Sequence, residues 1–299
     1  MTRWHVVGGT YIDEVYRLES EIAHEVSLTA TTREHTTGGP GACLALALAR
    51  LGSHVTLTTA LGDREDSVDA MALFEREGIE VGGERHSGPL DRSVTLVTPS
   101  LKSVTATHRV LPRLAPGPER LIAVPSDTVV VCSPTLLSSL GSIPAGLRLA
   151  LVPHLPQCHE LLTMRSEKRA ALLAATDLIV VNEHEHRVLA PLPGIEEVPW
   201  VAVTRGGDGS TLHSRGRSWD QRAFHDPERP PLNPNGAGEA FTAALLTALA
   251  SGASPRRALG TASVYAGRHV SGPASLSFPR SDLIDSTAPS YSETEHAYG

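Results

Sequence analysis

A glycine-rich turn followed by a single carboxylate is the strongest chemical signal in the sequence. Gly236, Ala237 and Gly238 lead directly into a long apolar segment, and Glu239 lies in the first turn of the helix that this segment predicts. The first amides of a helix lack intrahelical partners and attract anions, and glycine lets a phosphate approach the backbone closely. A carboxylate at such a site suits a base that takes a proton from a hydroxyl attacking a phosphoryl group. A tight turn that merely packs before a buried helix is the structural alternative.

A second glycine-rich segment lies towards the other end of the chain. It reads Gly38-Gly39-Pro40-Gly41-Ala42-Cys43 and opens an apolar helix pattern that ends before Gly52. Taken with the segment 233–241, it resembles the two signatures of the ribokinase-like (PfkB) carbohydrate kinases, in a divergent form. Shorter segments follow in the order of that family, and the likeness covers residues 4–280. These segments are Val6–Gly9 with Asp13, Gly62-Asp63, Asn182–Glu185 and Thr204–Gly207.

The resemblance implies a fold and a reaction. The implied fold is a three-layer α/β structure in which helices flank a mainly parallel sheet and a small β lid covers the substrate. The implied reaction is ATP-dependent phosphorylation of a hydroxyl of a sugar or sugar-like molecule, with Mg²⁺ as cofactor. Glu239 would be the general base, and Gly236–Gly238 would form the anion hole. Two alternatives stay open: a nucleoside kinase, and a catalytically impaired relative that binds a small molecule or a partner.

Further site residues follow from the same resemblance. The substrate side comprises Asp13, whose carboxylate can accept two hydrogen bonds, together with Gly38, Gly39, Cys43 and Arg109. The nucleotide side comprises Asn182, Thr204, Gly206 and Gly209, and Glu185 is expected to hold Mg²⁺ through water. Each assignment has a structural alternative: a cap for Asp13 and for Asn182 with Glu185, a hairpin turn for 204–209, and a solvated surface group for Arg109.

The motifs depart from the family pattern at functional positions. Glu239 replaces an aspartate and moves the carboxylate by on the order of 1 Å, a displacement that can lower a rate about 10²-fold. Asn233 replaces the aspartate of a monovalent-cation site, which argues against that cation. Cys43 replaces a sugar-binding asparagine, and the segment between Leu189 and Trp200 is too short for the usual helix. The acidity kept at Glu239 favours an active kinase, whereas the combined changes favour the impaired alternative.

Alternating apolar runs and helical patterns predict the elements that position these residues. Runs rich in Val, Leu and Ile predict strands buried on both faces at 4–8, 54–59, 128–133, 148–152, 178–181 and 200–204. Helical periodicity and end signals predict helices at 40–51, 65–77, 165–175, 183–190, 237–250 and 255–269. A dinucleotide-binding fold is disfavoured because Val7–Tyr11 lacks the third glycine of its fingerprint.

Two segments, 16–36 and 92–110, show a different pattern. Apolar residues alternate with polar ones, which predicts half-exposed antiparallel strands; they are Val26, Leu28 and Ala30, and Val94, Leu96 and Val104. We expect these strands to form the lid and to offer a face for a homodimer, with an ordinary edge hairpin as the alternative. Residues 1–284 are expected to form one domain, and the polar, aperiodic segment 285–299 a disordered tail.

Composition limits the partners and the compartment. The chain has 299 residues and a net charge of −7 without a long basic run, so neither nucleic acid nor an anionic membrane is expected as a partner. No apolar stretch approaches the roughly 20 residues that span a bilayer. The first residues lack the layout of a signal peptide, and three cysteines without paired spacing suit a cytoplasmic protein. The histidines lack the spacing of a transition-metal site.

Overall fold

Two β-sheets build the protein. The computed structural model describes residues 2–25, 27–117, 121, 124, 126–140, 143, 146–281 and 296–297. A ten-stranded sheet forms the body, and a separate four-stranded sheet forms a lid. Helices pack against the body sheet and give the three-layer α/β fold that the motifs predict.

Parallel strands with apolar sequences form most of the body. In spatial order they are β5 (Glu80–Arg85), β4 (His54–Leu61), β1 (Arg3–Val7), β8 (Thr128–Cys132), β9 (Leu149–Val152), β10 (Thr176–Asn182) and β11 (Trp200–Thr204). The sheet continues in antiparallel fashion through β12 (Ser210–Ser214), β13 (Arg217–Gln221) and β14 (His296–Ala297). The central strands are buried on both faces, which explains their unbroken apolar runs. Of the predicted tail 285–299, the structure describes only His296 and Ala297.

The helices pack in two groups. They are α1 (Pro40–Arg50), α2 (Glu65–Arg76), α3 (Leu155–Thr163), α4 (Ser166–Ala174), α5 (Glu183–Leu189), α6 (Ala237–Ala250) and α7 (Pro255–Val270). Helix α6 packs against both α1 and α7, and its residues Ala240–Leu246 are all buried. Helix α3 packs against α5, which also contacts β10 and β11. None of the described helices is long and apolar enough to cross a membrane.

The predicted body strands and helices are confirmed, with ends that differ by a residue or two. The predictions missed β5, α3, β12 and β13. Strand β5 lies at the edge of the sheet and is mostly exposed, so it lacks the apolar run of a buried strand. Helix α3 buries only Gln157, Cys158 and Leu161, which are too few positions for a clear helical period.

The lid differs from its prediction in strand direction and extent. Its strands are β3 (Ala30–Gly38), β2 (Tyr11–Leu18), β6 (Asp91–Val97) and β7 (Ser103–His108), in that spatial order. The predicted antiparallel pairing is confirmed within each segment, between β2 and β3 and between β6 and β7, whereas the central pair, β2 and β6, is parallel. The reason is that β2 follows β1 and β6 follows β5, and these body strands run in one direction. The edge-hairpin alternative is also wrong, because the lid is a sheet of its own.

In the middle of β6, hydroxyl side chains face the body and Val94 faces solvent, as does Val104 of β7. Ser93 and Thr95 are buried, whereas Val94 and Val104 are 40% and 57% exposed. The predicted alternation is therefore present in β6, but its hydroxyl side closes over the body. The predicted alternation before β3 is absent from the described residues: Leu28 lies outside any strand, and Val26 falls outside the described part of the chain.

Candidate active site

A cavity of about 470 Å³ lies where the lid meets the body. Its walls come from the lid, the first residues of α1, the loop before α3 and the start of α6. The predicted site residues that line it are Asp13, Gly39, Cys43, Arg109, Gly236 and Glu239. The other lining residues are Tyr11, Pro40, Ser93, Thr95, Thr105, Thr107, Ser133, His154, Pro156 and Asn235. The fold thus brings the two glycine-rich motifs to one polar chamber.

The first glycine-rich motif fits Asp13 against the start of α1. A Cβ at Gly38 would lie 2.0 Å from Oδ2 of Asp13, so a side chain there would displace this carboxylate. Gly39 has a φ of 93°, a conformation that favours glycine. The amide of Gly41 donates a 3.0 Å hydrogen bond to the carbonyl of Gly9, which fixes α1 against the end of β1. Gly38 therefore leaves room for the carboxylate of Asp13 and does not itself line the cavity.

Asp13 lies on β2 and lines the cavity. Its side chain is buried, and Oδ1 accepts a hydrogen bond from the Ser93 hydroxyl. Burial raises the pKa of Asp13, although hydrogen bonds from Ser93, the Gly39 amide and the Asn235 side chain partly oppose the change. The interpretation of Asp13 as a cap is wrong, because the residue lies inside a strand and bonds to a neighbouring strand.

Hydrogen bonds hold the turn before α6 in place. Gly236 is the N-terminal cap residue with a φ of 80°, and a Cβ there would lie 3.0 Å from Nε2 of His269. This Nε2 lies 2.7 Å from the carbonyl oxygen of Asn235, so it is the nitrogen that carries the proton. The Asn233 Oδ1 accepts a 3.1 Å hydrogen bond from the Asn235 amide, and Nδ2 donates to Ser275 Oγ at 3.4 Å. Asn233 is thus uncharged, and both ends of its side-chain amide already form hydrogen bonds within the protein.

The first turn of α6 meets the cavity at Gly236 and Glu239, whereas Ala237 and Gly238 lie outside its lining. Gly238 is exposed, and a Cβ there would meet no atom within 4 Å, which leaves room for a ligand at the helix start. The amide of Ala240 donates to the carbonyl of Gly236, one helical turn back. The amide of Gly238 comes before this bond and lacks an intrahelical acceptor, so it can bind an anion together with the helix dipole, whereas the Glu239 amide bonds to its own carboxylate and the Ala237 amide to the carbonyl of Pro234.

Glu239 lies next to Asp13 and Cys43 in the cavity wall. Its side chain is partly buried, and burial raises its pKa; its own amide opposes this, and the charge of Asp13 adds to it. Burial together with both carboxylates raises the pKa of the Cys43 thiol well above its ordinary value, so the thiol stays neutral. A carboxylate with a raised pKa in a cavity is suited to accept a proton near neutral pH.

Asn182 and Glu185 form a capping box at the start of α5. The Glu185 amide donates to Oδ1 of Asn182, and the Asn182 amide donates to Oε2 of Glu185, both at 2.9 Å. The capping alternative is therefore confirmed, but it uses only one carboxylate oxygen. Burial raises the pKa of Glu185, and the charge of Glu239 adds to this rise. The hydrogen bond from the Asn182 amide and the charge of His154 lower the pKa. Glu185 thus lies close to the cavity without lining it.

Thr204, Gly206 and Gly209 belong to the hairpin turn between β11 and β12, outside the cavity lining. Thr204 pairs with Ser210, and a Cβ at Gly209 would lie 2.1 Å from the carbonyl oxygen of Gln221. The hairpin alternative is confirmed for this segment. Between Leu189 and Trp200 the chain forms only the short 3₁₀ helix Ile195–Glu197, in agreement with the expectation that this segment is too short for the usual helix.

Sequence reasoning missed the hydroxyl wall of the lid and the histidine before α3. Ser93, Thr95, Thr105 and Thr107 line the cavity at alternate positions of β6 and β7, and Thr95 bonds to Thr105 at 2.9 Å. The alternation of these hydroxyls with apolar residues is present in the sequence, but it does not indicate which of the two sides faces the cavity. His154 belongs to no motif. Burial lowers its pKa, the charge of Glu185 opposes this, and the charge of Arg109 adds to it.

Comparison with known proteins confirms the resemblance that the motifs suggest. A sequence profile described as "pfkB family carbohydrate kinase" matches residues 1–97 and 154–276. No curated protein sequence gives a significant match. Among solved structures, the ribokinase from Cryptococcus neoformans var. grubii serotype A in complex with ADP has a TM-score of 0.76 and 21% identity. That comparison covers 95% of this chain and 98% of the ribokinase.

Nucleoside kinases are similar to the same degree. The enzyme from Burkholderia thailandensis in complex with inosine has a TM-score of 0.73 and 19% identity, with 94% of each chain covered. The enzyme from Methanocaldococcus jannaschii has a TM-score of 0.74 and 16% identity, with 95% of this chain and 97% of the other covered. At these identities the likeness establishes the fold and leaves the substrate open.

We expect Glu239→Gln to raise the midpoint of urea denaturation at pH 7. The pKa of Glu239 is raised in the folded state, so the ionised carboxylate is less favourable there than in the unfolded chain. This destabilisation grows as the pH rises above the unfolded pKa and disappears below about pH 4, where the group is protonated in both states. Glutamine removes the charge, so the gain should be lost at low pH.

Glu75→Gln, at an exposed position of α2, is the matched control and should show no such pH-dependent gain. A lower midpoint for Glu239→Gln at pH 7 would mean that favourable contacts hold the carboxylate, against the burial argument.

Proposed function

Because the chain belongs to the pfkB family of carbohydrate kinases, we propose that it transfers the γ-phosphoryl group of ATP to a hydroxyl of a sugar or sugar-like molecule. The observation that carries this proposal is the meeting of Asp13, Glu239 and the open first turn of α6 in one cavity. Phosphoryl transfer needs a positioned hydroxyl, a base for its proton and stabilisation of the transferred charge. The cavity offers one group for each of these needs.

Asp13 positions the acceptor hydroxyls. Its Oδ1 is held by Ser93, and an ionised carboxylate has acceptor capacity left for ligand hydroxyls. Gly39 leaves backbone exposed against which a sugar ring can lie, and the neutral Cys43 thiol forms an adjoining part of the wall. Gly38 contributes indirectly, because it makes room for the carboxylate of Asp13.

Glu239 accepts the proton of the acceptor hydroxyl. In the transfer the O–H bond breaks and its proton moves to the Glu239 carboxylate, while the acceptor oxygen forms a bond to the γ-phosphorus. The bond between the γ-phosphorus and the β–γ bridging oxygen breaks, and ADP leaves. The raised pKa of Glu239 supports this role, because a base works best when its pKa lies near the working pH.

In this proposal the turn Gly236–Gly238 binds the transferred group, with the Gly238 amide free to donate and the Ala237 amide shared with the carbonyl of Pro234, 3.3 Å away. The helix dipole adds partial positive charge at this end of α6, where negative charge develops in the transition state. The contacts of His269 and Asn233 hold the turn in the absence of ligand. Little reorganisation is then needed when the phosphates bind.

The nucleotide binds, in this proposal, between the start of α6 and the loops after β10 and β11. Asn182, Thr204, Gly206 and Gly209 are the contacting residues on that side. The second oxygen of Glu185 fits a water of hydrated Mg²⁺, an ion that keeps several of its waters in proteins. Within the described residues no group of three or more His, Cys, Asp or Glu side chains could hold a metal directly. When bound, Mg²⁺ neutralises phosphate charge.

Several features separate this proposal from its alternatives. Tyr11 is the only Phe, Tyr or Trp among the described lining residues, which favours a sugar over a nucleobase that needs stacking partners. The open turn of α6 and the raised pKa of Glu239 favour a working kinase over an impaired relative.

The uncharged Asn233, whose side chain is already hydrogen-bonded, favours a reaction without a monovalent cation. The free cysteines support a cytoplasmic location.

Substitution of Glu239 tests the catalytic assignment. Glu239→Ala and Glu239→Gln should each lower kcat by about 10² or more, the scale of general-base catalysis, with little change in ATP affinity. Glu239→Asp shows whether the pocket has adapted to the longer side chain, since a gain in kcat would mean that it has not. ADP release from ATP and Mg²⁺ is measured over a panel of sugars and nucleosides. Equal turnover by wild type and Glu239→Ala would reduce Glu239 to an acid that stabilises a helix end.

A methyl group at position 238 tests the anion hole. Gly238→Ala should weaken ATP binding by about tenfold or more, a loss of about 1.4 kcal/mol, because the methyl would occupy the phosphate space without touching protein. Calorimetry with a non-hydrolysable ATP analogue and Mg²⁺ measures the affinity. Gly260→Ala in α7 is the control, since its Cβ would meet only Gln221 Oε1 at 3.9 Å. Unchanged affinity in Gly238→Ala would place the phosphates elsewhere.

The outer face of the lid is proposed to pair with a second copy of the chain. Val94 and Val104 are exposed there, and a sheet with exposed apolar residues tends to be covered by association. The double variant Val94→Lys, Val104→Lys should shift sedimentation from dimer to monomer. Val68→Lys, on α2, is the control because Val68 is exposed outside the lid. A wild type that stays monomeric at every concentration would contradict the dimer.

A further inference from the structure

One arginine faces the cavity without an acidic partner. Arg109 follows β7, and its Nη2 lies 3.4 Å from the Ser133 hydroxyl. Among the described residues it forms no ion pair with a carboxylate. Arg113, four positions along, differs: it pairs with Glu160 at 3.1 Å and donates to the carbonyl of Pro134. The protein thus neutralises Arg113 and leaves Arg109 as a charged donor at the cavity wall.

Further donors surround Arg109 at this end of the cavity. The Tyr11 hydroxyl lies beside Ser133, is buried, and has no hydrogen-bond partner of good geometry in the described part of the chain. His154 lines the same region, and the charge of Arg109 acts on both Tyr11 and His154. A guanidinium and two hydroxyls therefore converge where no acidic side chain in the described part of the chain accepts from them, although the charges of Asp91 and Asp13 also act on Tyr11. An anionic ligand group would complement this set.

Arg109 and Glu239 enter the cavity from different parts of the fold. Glu239 lies in the first turn of α6, whereas Arg109 follows the end of β7 on the lid. Thr105 and Thr107 line the cavity along β7, and the chain reaches Arg109 two residues later. A substrate that places one hydroxyl at Glu239 can extend along these hydroxyls and reach Arg109 with its other end.

We propose that Arg109, Ser133 and Tyr11 form a subsite for an anionic group of the acceptor, so that the preferred substrate is a sugar acid or a sugar phosphate. The planar guanidinium can bind a carboxylate or a phosphate through two parallel hydrogen bonds. Arg109 is exposed, so with a neutral sugar its charge would be hydrated and would lack an anionic partner. The inference rests on the proposed kinase function, because it names the acceptor that would receive the phosphoryl group. Binding of the anionic group can still be measured without turnover.

Calorimetry without ATP tests the subsite with two matched pairs of probes, gluconate against glucose and fructose 6-phosphate against fructose. Wild type should bind at least one anionic member about tenfold more tightly than its neutral partner. Arg109→Gln should weaken that binding by about 10- to 100-fold, the usual effect of losing a charged hydrogen bond, and leave the neutral sugar unaffected. Arg109→Lys should fall between, because it keeps the charge and loses the fork.

Arg92→Gln is the matched control, because Arg92 also lies on the lid but pairs with Glu14 at 3.7 Å outside the cavity lining. It should bind every probe as wild type does. The gluconate and fructose 6-phosphate arms show whether the anionic group is a carboxylate or a phosphate. Wild type that prefers neither anionic member, or binds neither, overturns the subsite.

ATP turnover of the same four sugars separates this inference from the kinase proposal. Turnover of neutral sugars alone, unchanged in Arg109→Gln, overturns the subsite and leaves the kinase intact. Anion binding that Arg109→Gln abolishes, in a protein that turns over no sugar, supports the subsite and contradicts the kinase. A fall in kcat for every sugar at unchanged KM overturns the subsite, because Arg109 would then act on the transferred phosphoryl group.

Discussion

Two carboxylates, those of the buried Asp13 and the partly buried Glu239, line one cavity. Burial raises the pKa of both, and the charge of Asp13 adds to the effect on Glu239, so keeping either group ionised is costly. The site limits this cost with donors. Ser93 bonds to Asp13, and the first amides of α6 place partial positive charge beside Glu239. A carboxylate whose pKa is raised, but which stays in contact with hydrogen-bond donors, can take up and release a proton. The surrounding structure holds the two carboxylates in this state.

Close backbone packing brings the pair together. A Cβ at Gly41 would lie 2.4 Å from the carbonyl carbon of Gly8, so β1 and α1 touch backbone to backbone. Helices α1 and α6 then pack side by side, which places the two glycine-rich motifs at one cavity although they lie far apart in the chain. Larger side chains at these contacts would move the elements, and a shift of about 1 Å at a reacting group can cost 10²-fold in rate.

The lid is hydrogen-bonded to the body on the side of α6. Glu34 on β3 accepts hydrogen bonds from the amide and hydroxyl of Ser275, at 2.8 and 3.0 Å. Arg17 on β2 donates to the carbonyl of Leu232. Ser275 in turn accepts from Asn233, which shapes the turn before α6. The position of the lid and the geometry of the glycine-rich turn before α6 are therefore linked through Glu34, Ser275 and Asn233.

Much of the body could be predicted from the sequence, because strands buried on both faces keep unbroken apolar runs and the helices have clear end signals. The glycine-rich turns and Glu239 were visible for a similar reason, since few structural needs place glycines and a lone acid at a helix start. The working face of the lid was not, because Ser93 and Val94 alternate equally well in either orientation and strand pairing decides which one points inward. Likewise, Arg109 is exposed, as a surface residue would be, and only the tertiary structure places it at the cavity wall, where none of the described residues gives it an acidic partner.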